Sequence, residues 1–596
     1  MANSPQLDAE GVVRVTVYSG GAQLAEIVQL ISVTVSRAVN TVPSARLVFA
    51  DGDMPRKEFP LSDSDDLKPG AEIKISAGYG DAEDTVFEGI VVKHGVRVSG
   101  NNDARLVIEC RDKAVRMTVG RKNANYVGQK DSDIISKLAS AGGLSADVDA
   151  TDIQHGELVQ HYSSDWDFVL ARAEANGLLV VATDGALAVK APATAGEPVL
   201  KVTYGDDLID FQAEIDARTQ FASAQAVSWD MKNQAVVLGS EAAPVTLNAQ
   251  GDLDSATLAK VVDLSSFRLQ TGAPLSKESL TQWAKALQLK AGLARIRGHM
   301  SFQGSAKAKV GELIELEGVG TRFSGKVFVT GLTHVIEDGN WTTQAEFGVA
   351  PAWFTERSDV LAPPAGGLLP AVEGLHVGVV MKLDEDPDGE QRIQVSTPVL
   401  QPETDGVWAR LLKFHGSNGF GAFFLPEIGD EVVLGYFNND PSHPVVLGSL
   451  YSSKHAPPYP LAAENNIKAI VTRCKSKIEF NEEDKVITVT TPGNNKIVLS
   501  DKDKSILLQD QNDNKVELNP SGITLDSPKD IKVTAKGTIT LDAVGAVSIS
   551  SKADVKTAGL NVNTEAQVGF VAKGNASAEL SAAGQTVVKG AIVMIN

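Results

Sequence analysis

The chain has 596 residues, of which 55 are basic and 75 acidic, so its formal net charge is −20 at pH 7. At roughly 150 residues per domain this length predicts about four domains, and the 43% hydrophobic content excludes a wholly disordered chain. Two cysteines, Cys110 and Cys474, exclude a disulfide scaffold and cysteine-rich metal clusters, and the acidity argues against a nucleic-acid-binding surface.

We expect neither a membrane-spanning helix nor a signal peptide. No apolar run reaches about 18 residues, so we expect no membrane-spanning helix. The first residues, Met1 to Pro5, lack the basic and apolar stretches of a signal peptide. The low cysteine content suits synthesis in a reducing cytoplasm, so export would need another route.

Residues 1–360 are predicted to form a β-rich α+β region of two β-barrel subdomains with helices. Alternating or β-branched apolar patterns predict strands at 12–17, 31–35, 71–77, 86–98, 105–109, 313–316, 326–330 and 341–347. A short helix is expected from Asp133 to Ala141. A second follows Ser164, which forms a capping-box pattern with Asp167, and ends at Asn176-Gly177. A third begins after Ser276.

Two proline-rich stretches, residues 361–370 and 456–465, are predicted to be linkers, because proline fixes φ and disfavours helix before it. Between them, residues 371–455 contain five short strand patterns separated by tight turns. This density predicts an OB-like barrel.

Residues 466–596 have a different composition and a short repeat. They hold 16 basic and 15 acidic residues and two aromatic ones, Phe480 and Phe570. Apolar-x-apolar pairs recur every nine to ten residues from Ile478, and then every eight residues. We predict that the octads form a shaft core, with these members: Ile523, Leu525, Ile531, Val533, Ile539, Leu541, Val547, Ile549 and Val555.

Eight residues are too few for one chain to wrap around its own core, so the repeat predicts three intertwined chains that share an axis. Each buried Ile or Val would contribute about 1.5–3 kcal/mol. The prediction is therefore a homotrimer with a triple-stranded β-helix shaft. A run of ordinary hairpins in a sandwich is the alternative.

The chain ends in an apolar segment, for which we predict a blunt tip, three copies wide, that binds a cap. Its residues are Ile592, Val593, Met594, Ile595 and Asn596. No His-x-His pair lies near them, so we expect no metal ligands at the point.

The barrel region resembles the VgrG-type spike proteins of contractile injection systems. The resemblance rests on the runs 426–432 (PEIGDEV) and 440–448 (DPSHPVVLG), and the helix start at 164–168 (SDWDF) is similar to the hub domain of that family. Residues 110–117 and 341–343 fit the hub less specifically. The resemblance covers the whole chain in the order hub, barrel and shaft.

The resemblance implies a homotrimeric spike and a mainly β fold with a β-rich α+β hub. Its implied partners are an inner tube protein, baseplate proteins, a PAAR-type tip cap, effector cargo and the target cell envelope. The particle would assemble in the bacterial cytoplasm and then become part of a secreted or extracellular machine. A membrane-anchored type VI apparatus and a free phage-tail-like particle both remain open.

We expect no enzymatic activity, no cofactor, no metal site and no nucleic-acid partner. The sequence lacks His-Glu-x-x-His, Gly-x-Ser-x-Gly and Walker-type motifs. The string Asp384-x-Asp386-x-Asp388-Gly389 matches half of a calcium loop, but Val395 stands at the twelfth position, so we interpret it as an acidic turn. The alternative function is a trimeric tail fibre or tailspike that binds or degrades surface glycans.

Overall fold

The computed structural model describes residues 2–9, 11–25, 27–100, 103–398 and 406–595. The chain forms two compact units, Met1–Leu450 and Tyr451–Asn596, and most of its regular structure is β-strand. The mainly β fold class is therefore confirmed.

The first unit is built on a large, almost entirely antiparallel sheet, to which smaller sheets and helices are added. The strands that precede the barrel are β1 Val13–Ser19, β2 Ala22–Gln23, β3 Leu30–Ala38, β4 Ser44–Ala50, β5 Glu72–Tyr79, β6 Ala82–Ser99, β7 Asp103–Arg111, β8 Lys122–Lys130, β9 Ser145–Val148, β10 Gln154–Ser163, β11 Leu179–Thr183, β12 Ala186–Lys190, β13 Leu200–Thr203, β14 Leu208–Ile215, β15 Ala224–Asp230, β16 Ala235–Leu238, β17 Phe267–Gln270, β18 Ile296–Gln303, β19 Leu313–Glu317, β20 Gly325–Glu337 and β21 Asn340–Phe347.

The large sheet has the strand order β14-β18-β21-β20-β3-β4-β7-β6-β5-β1-β2, and β13 joins through β19 to β20. The sheet pairs a strand from the start of the chain with one more than 280 residues later, because β3 pairs with β20. Their register places Ser36 opposite Thr333. Side chains of this sheet form two clusters of buried apolar residues. One cluster contains Phe49 and Phe87, and the other contains Met300 and Phe302. The predicted strands of this region are confirmed, with ends shifted by a few residues.

Besides short 3-10 turns, four α-helices are present in the part of the first unit that the structure describes: α1 Asp131–Ala141, α2 Asp165–Ala175, α3 Ser255–Val262 and α4 Lys277–Leu293. Ser164 caps α2 by accepting a hydrogen bond from the Asp167 N–H at 3.0 Å. The Asp167 carboxylate accepts from the Ser164 hydroxyl at 2.6 Å rather than from its backbone, because an aspartate is shorter than the glutamate of a full capping box. Helix α2 ends before Gly177, whose φ of +70° suits glycine.

Sequence patterns did not predict α3, which has two turns and is capped by Asp254. Its short length gives too few repeats of an apolar period to stand out.

A closed five-stranded barrel completes the first unit. Its strands are β22 His376–Lys382, β23 Ile393–Ser396, β24 Val407–Leu411, β25 Glu431–Tyr436 and β26 Pro444–Ser449, closed in the order β22-β23-β24-β26-β25. Inward residues such as Val380, Val395 and Leu434 are fully buried. The barrel prediction is confirmed.

The second unit contains a seven-stranded antiparallel sheet in which each strand pairs with the next along the chain, which we call the meander. Its strands are β27 Ile467–Val471, β28 Lys477–Asn481, β29 Val486–Thr490, β30 Lys496–Ser500, β31 Ser505–Gln509, β32 Lys515–Asn519 and β33 Gly522–Asp526.

The meander differs from a single intertwined shaft over residues 466–596. Spacings of nine and ten residues accommodate a five-residue strand and a turn of four or five residues, so residues 467–526 form hydrogen-bonded hairpins within one chain. Residues 527–595 contain no helix or strand in the single chain. The one-shaft interpretation of the whole segment stays a prediction.

Candidate assembly surface

One face of the meander is apolar. Cross-strand partners lie on the same face of a sheet, so the strand register shows which side chains are neighbours. We call this set the apolar stripe, and its members are Ile470, Ile478, Phe480, Ile487, Val489, Ile497, Leu499, Ile506, Leu508, Val516, Leu518, Ile523 and Leu525. Lys468, opposite Phe480, completes the face at the first strand.

The apolar stripe is uncovered in the single chain. Its members in β27–β31 are 36–49% exposed, whereas the inward residues Val380 and Leu434 of the barrel are 0% exposed. A contiguous exposed apolar surface of this kind is typical of an interaction site.

The opposite face of the meander is largely polar. The Lys477 ammonium lies 2.8 Å from the Glu479 carboxylate, and the Tyr459 hydroxyl donates to the same carboxylate. These two groups hold the pKa of Glu479 below its ordinary value. Period-two alternation in strands such as 477–481 (KIEFN) therefore separates a charged face from an apolar one.

The turns of the meander follow a 19-residue repeat that the sequence analysis missed. Turns of five residues begin at Thr472, Thr491 and Asp510, and each closes with the same pair of backbone hydrogen bonds. The fourth residue of each such turn has a positive φ, as does the last residue of the four-residue turns; these residues are Lys475, Asn494, Asp513, Lys485 and Lys504. The recurrence of Lys477, Lys496 and Lys515 at 19-residue intervals is the signal that could have revealed it.

The predicted shaft-core residues are exposed in the single chain. Ile523 and Leu525 lie on β33, and the others lie in the extended segment 527–595. All are 54–75% exposed: Ile523, Leu525, Ile531, Val533, Ile539, Leu541, Val547, Ile549 and Val555. Within residues 527–595 the chain makes no backbone-to-backbone hydrogen bond with itself. Backbone groups that are buried need hydrogen-bond partners, and this segment supplies no backbone partners to itself in the single chain.

The predicted cap-binding tip is also exposed. Ile592, Met594 and Ile595 are more than four-fifths exposed and Val593 about half, whereas Asn596 lies outside the described residues. The tip assignment stays a prediction.

The barrel exposes a cluster of phenylalanines that was not predicted from the sequence. Phe414, Phe420, Phe423 and Phe424, in the loop between β24 and β25, are 61–94% exposed. Lys413 donates to the Phe424 carbonyl, and its Nζ lies 5.9 Å from the centre of the Phe423 ring. Four phenylalanines within eleven residues are the sequence signal for this cluster.

The acidic turn of the barrel is occupied by an internal cation. The Asp386 carboxylate accepts from Nε and Nη2 of Arg392, at 3.0 and 2.6 Å, and from its backbone N–H at 3.1 Å. Asp388 also accepts from Arg392. These contacts use both carboxylate oxygens of Asp386 and one of Asp388, so the geometry supports a structural turn.

Other titratable side chains that could take part in chemistry are paired with side chains on neighbouring strands or helices. His155 contacts the buried Asp131 at 3.0 Å. Asp210 accepts from His299 at 2.9 Å, and Glu214 pairs with Arg297 at 2.7 Å, both across β14 and β18. Among the residues that the structure describes, no group of three or more His, Cys, Asp or Glu side chains is placed to hold a metal ion. In the same part of the chain, no helix combines the length and apolar composition needed to cross a membrane.

Three family models match successive parts of the chain. Residues 9–338 match the Alg8 N-terminal domain, and residues 376–451 match the type VI secretion system/phage-baseplate injector OB domain. Residues 486–554, which include most of the apolar stripe, match the phage baseplate V C-terminal trimerisation domain. The chain is a VgrG-type spike protein of the Alg8 N-terminal domain family.

Curated relatives of this VgrG-type protein include spike proteins. It is 28% identical over 89 residues to the type VI secretion system spike protein VgrG1a of Pseudomonas aeruginosa, covering 14% of each chain. It is 26% identical over 124 residues to the actin cross-linking toxin VgrG1 of Vibrio cholerae, covering 19% of this chain and 11% of that protein. The chain thus spans between a tenth and a seventh of the length of these relatives.

Similar solved structures include phage tail and secretion-system proteins. A 43 kDa tail protein of prophage MuSo2 from Shewanella oneidensis aligns with a TM-score of 0.43 and 10% identity, covering 57% of this chain and 98% of that one. An Escherichia coli component of the type VI secretion system aligns with a TM-score of 0.36 and 15% identity, covering 73% of this chain and 99% of that one.

Proposed function

We propose that this VgrG-type protein is the homotrimeric spike and hub of a contractile injection machine. Residues 1–360 would form the hub, 371–455 the barrel, and 466–596 the spike, with linkers at 361–370 and 456–465. In this role the chain connects the inner tube and baseplate to a piercing tip and delivers cargo by mechanical puncture of a target envelope.

The observation that carries the proposal is the uncovered apolar stripe together with the octads that follow it. Three copies that turn their stripes toward one axis bury the same surface in each chain, and each fully buried Ile, Leu or Val contributes about 1.5–3 kcal/mol. The backbone of residues 527–595 gains its hydrogen bonds from neighbouring chains in the same arrangement. The match of residues 486–554 to a trimerisation domain supports this assembly.

The proposed partners follow from the same assembly. An inner tube protein and baseplate proteins would contact the hub, and a PAAR-type cap would cover the exposed apolar residues Ile592–Ile595 at the tip. Effector cargo would travel on the spike. The particle would assemble in the bacterial cytoplasm and act outside the cell that made it.

We propose a mechanical rather than an enzymatic role, in line with the relatives that are named as spike proteins. The alternative, a tail fibre or tailspike that binds or degrades glycans, would use aromatic platforms on its shaft. Residues 466–596 contain two aromatic side chains, so no specific observation favours that alternative.

A pair of adjacent substitutions in β30 tests the assembly. Ile497 belongs to the apolar stripe, whereas Val498 lies on the opposite face and is the more buried of the two in the single chain. In the trimer, Ile497→Lys places a charge inside the three-chain core, so we expect loss of the trimer in light scattering of the full chain. We expect Val498→Lys to keep the trimeric mass.

The two substitutions give opposite results if the chain acts alone. A monomer would lose more thermal stability from Val498→Lys than from Ile497→Lys, because Val498 is less exposed in the single chain. A wild-type mass near the 62.9 kDa of one chain would exclude the trimeric spike.

A further inference from the structure

The octads set the spacing of apolar pairs along the shaft axis. They do not by themselves fix the axial register, which is the position of each chain along that axis relative to the other two. The octads at Ile531, Ile539 and Val547 carry the same pattern, an apolar residue followed two positions later by another. If one chain slips by eight residues toward the tip, its apolar pairs at Ile531 and Ile539 still meet apolar pairs. Within a chain, residues 527–595 form no backbone ladder that would oppose such a slip.

The meander behaves differently because its strands are bonded to one another within the chain. Six antiparallel ladders join β27 to β33, so the sheet moves along an axis as one block. Neighbouring strands run in opposite directions, and turns of similar length recur after two strands. The smallest slip that keeps strand directions matched is therefore two strands, or one 19-residue repeat.

We call a cross-strand pair of side chains on the apolar face, taken as one position along the shaft axis, a level. The first level of this face is chemically distinct from the levels that follow. Lys468 and Phe480 lie opposite each other, whereas the stripe residues of β29, β30 and β31 are all aliphatic. The Lys468 ammonium donates to the Asn465 carbonyl and lies 3.8 Å from the Glu482 carboxylate, so it is satisfied at this end of the stripe.

A slip of two strands in either direction brings Lys468 of one chain to the level of Ile487 of another. An ammonium group is then covered by apolar side chains, which is costly when the charge has no new partner. The slip also separates the Phe480 rings of the three chains and places each of them beside smaller aliphatic residues, which disturbs the packing.

We propose that the Lys468–Phe480 level of the meander sets the axial register in which the octads of three chains meet. This inference rests on the trimer proposed above. The meander excludes slipped assemblies, and the octads then extend the correct register toward the tip.

Spin-label distances in the full chain test the register directly. The label is placed at Ser548→Cys, between the octad residues Val547 and Ile549, in a Cys474→Ser background. Cys110 stays unlabelled because it is fully buried, and burial raises the pKa of its thiol to about 12. The unaltered meander should give one interchain distance population by double electron–electron resonance.

The test variant is Lys468→Ile combined with Phe480→Ile, which makes the first level resemble the others. We expect the trimeric mass to persist and a second, longer distance population to increase at least about tenfold, because the buried-charge penalty for a slip is gone. Deletion of residues 467–485, which removes one 19-residue repeat together with both Lys468 and Phe480, should also produce the second population. Deletion of one octad, residues 531–538, is the matched control and should leave one distance.

The outcomes separate the two proposals. A trimer that keeps a single distance in both the double variant and the 467–485 deletion overturns the register inference and leaves the spike proposal intact. An unaltered chain that is monomeric by light scattering overturns the proposed trimer itself. A second distance in the octad deletion alone assigns the register to the octads and also overturns the inference.

Discussion

At the scale of single residues, one buried polar centre of the first unit is Asp131 at the start of α1. Its side chain is 1% exposed and accepts from Arg172 at 2.7 and 2.9 Å, from Asn176 at 2.8 Å and from His155 at 3.0 Å. Burial raises the pKa of Asp131, but the hydrogen bonds and charge of Arg172, together with hydrogen bonds from His155 and Asn176, outweigh it and hold the pKa below its ordinary value. The carboxylate thus connects α1, α2 and β10.

We expect Asp131→Asn to lower the free energy of unfolding by about 3 kcal/mol at neutral pH, because it leaves the partly buried Arg172 guanidinium without a counter-ion. Thermal or urea unfolding of the full chain, monitored for the first unit, measures this loss. Asp133→Asn is the control, since Asp133 lies on the exposed side of the same first turn.

The pH dependence of that difference follows from the direction of the shift. The folded pKa of Asp131 is depressed, so its stabilisation is complete above the unfolded value of about 4 and is lost as pH falls through the lower folded value. The stability gap between wild type and Asp131→Asn should therefore shrink in acid. A gap that stays constant down to about pH 2 would contradict the assignment.

At the scale of elements, the turns of the meander decide how the strands are arranged. Lys504 closes a four-residue turn with a φ of +50°, in the left-handed region that β-branched residues avoid. Its N–H donates to the Asp501 carbonyl at 3.2 Å. The neighbouring Lys502 instead pairs on the surface with Asp484 of the previous four-residue turn, at 3.0 Å.

We expect Lys504→Val to destabilise the meander by about 1–2 kcal/mol per chain, because valine is strained at positive φ. Lys502→Val is the matched control and should cost less than about 1 kcal/mol, the usual contribution of an exposed ion pair. Differential scanning calorimetry of the full chain compares the two. Equal losses would show that backbone strain at Lys504 is not the decisive factor.

Element types were predictable where local patterns are long and regular. The caps at Ser164 and Ser276 lie where the sequence placed them, since capping depends on residues within one helical turn. The meander was not predicted as such. Apolar-x-apolar spacing is the same for strands paired within a chain and strands paired between chains, and turn residues such as Asn494 decide between them.

At the scale of the whole molecule, charge and apolar surface are distributed unevenly. Residues 1–465 hold 39 basic and 60 acidic residues, whereas the remaining residues are almost neutral. The exposed apolar surface of the second unit extends from the stripe through the octads to Ile592–Ile595. A nearly neutral, apolar-edged segment suits close contact between three identical chains, because it avoids repulsion between like charges.

Removal of residues 592–596 tests whether these residues bind a cap protein. We expect the truncated chain to keep its trimeric mass, because the stripe and octads remain, and to lose binding to a PAAR-type cap protein in a pull-down or calorimetric titration. A variant in which serines replace residues 592–596 controls for chain length and should also fail to bind. Cap binding by either variant would show that the tip assignment is wrong.

Strand alternation, helix caps, the barrel pattern and the octad period could all be inferred from the amino-acid order, because each depends on neighbours within about ten residues. The pairing of β3 with β20, the Asp131–Arg172 contact and the separation of a hairpin meander from an unpaired octad segment could not. These features depend on which distant segments bury the same surface. Local periodicity determines which side of a strand is apolar, but tertiary packing decides what that side meets, and for the apolar stripe the packing within one chain leaves it uncovered.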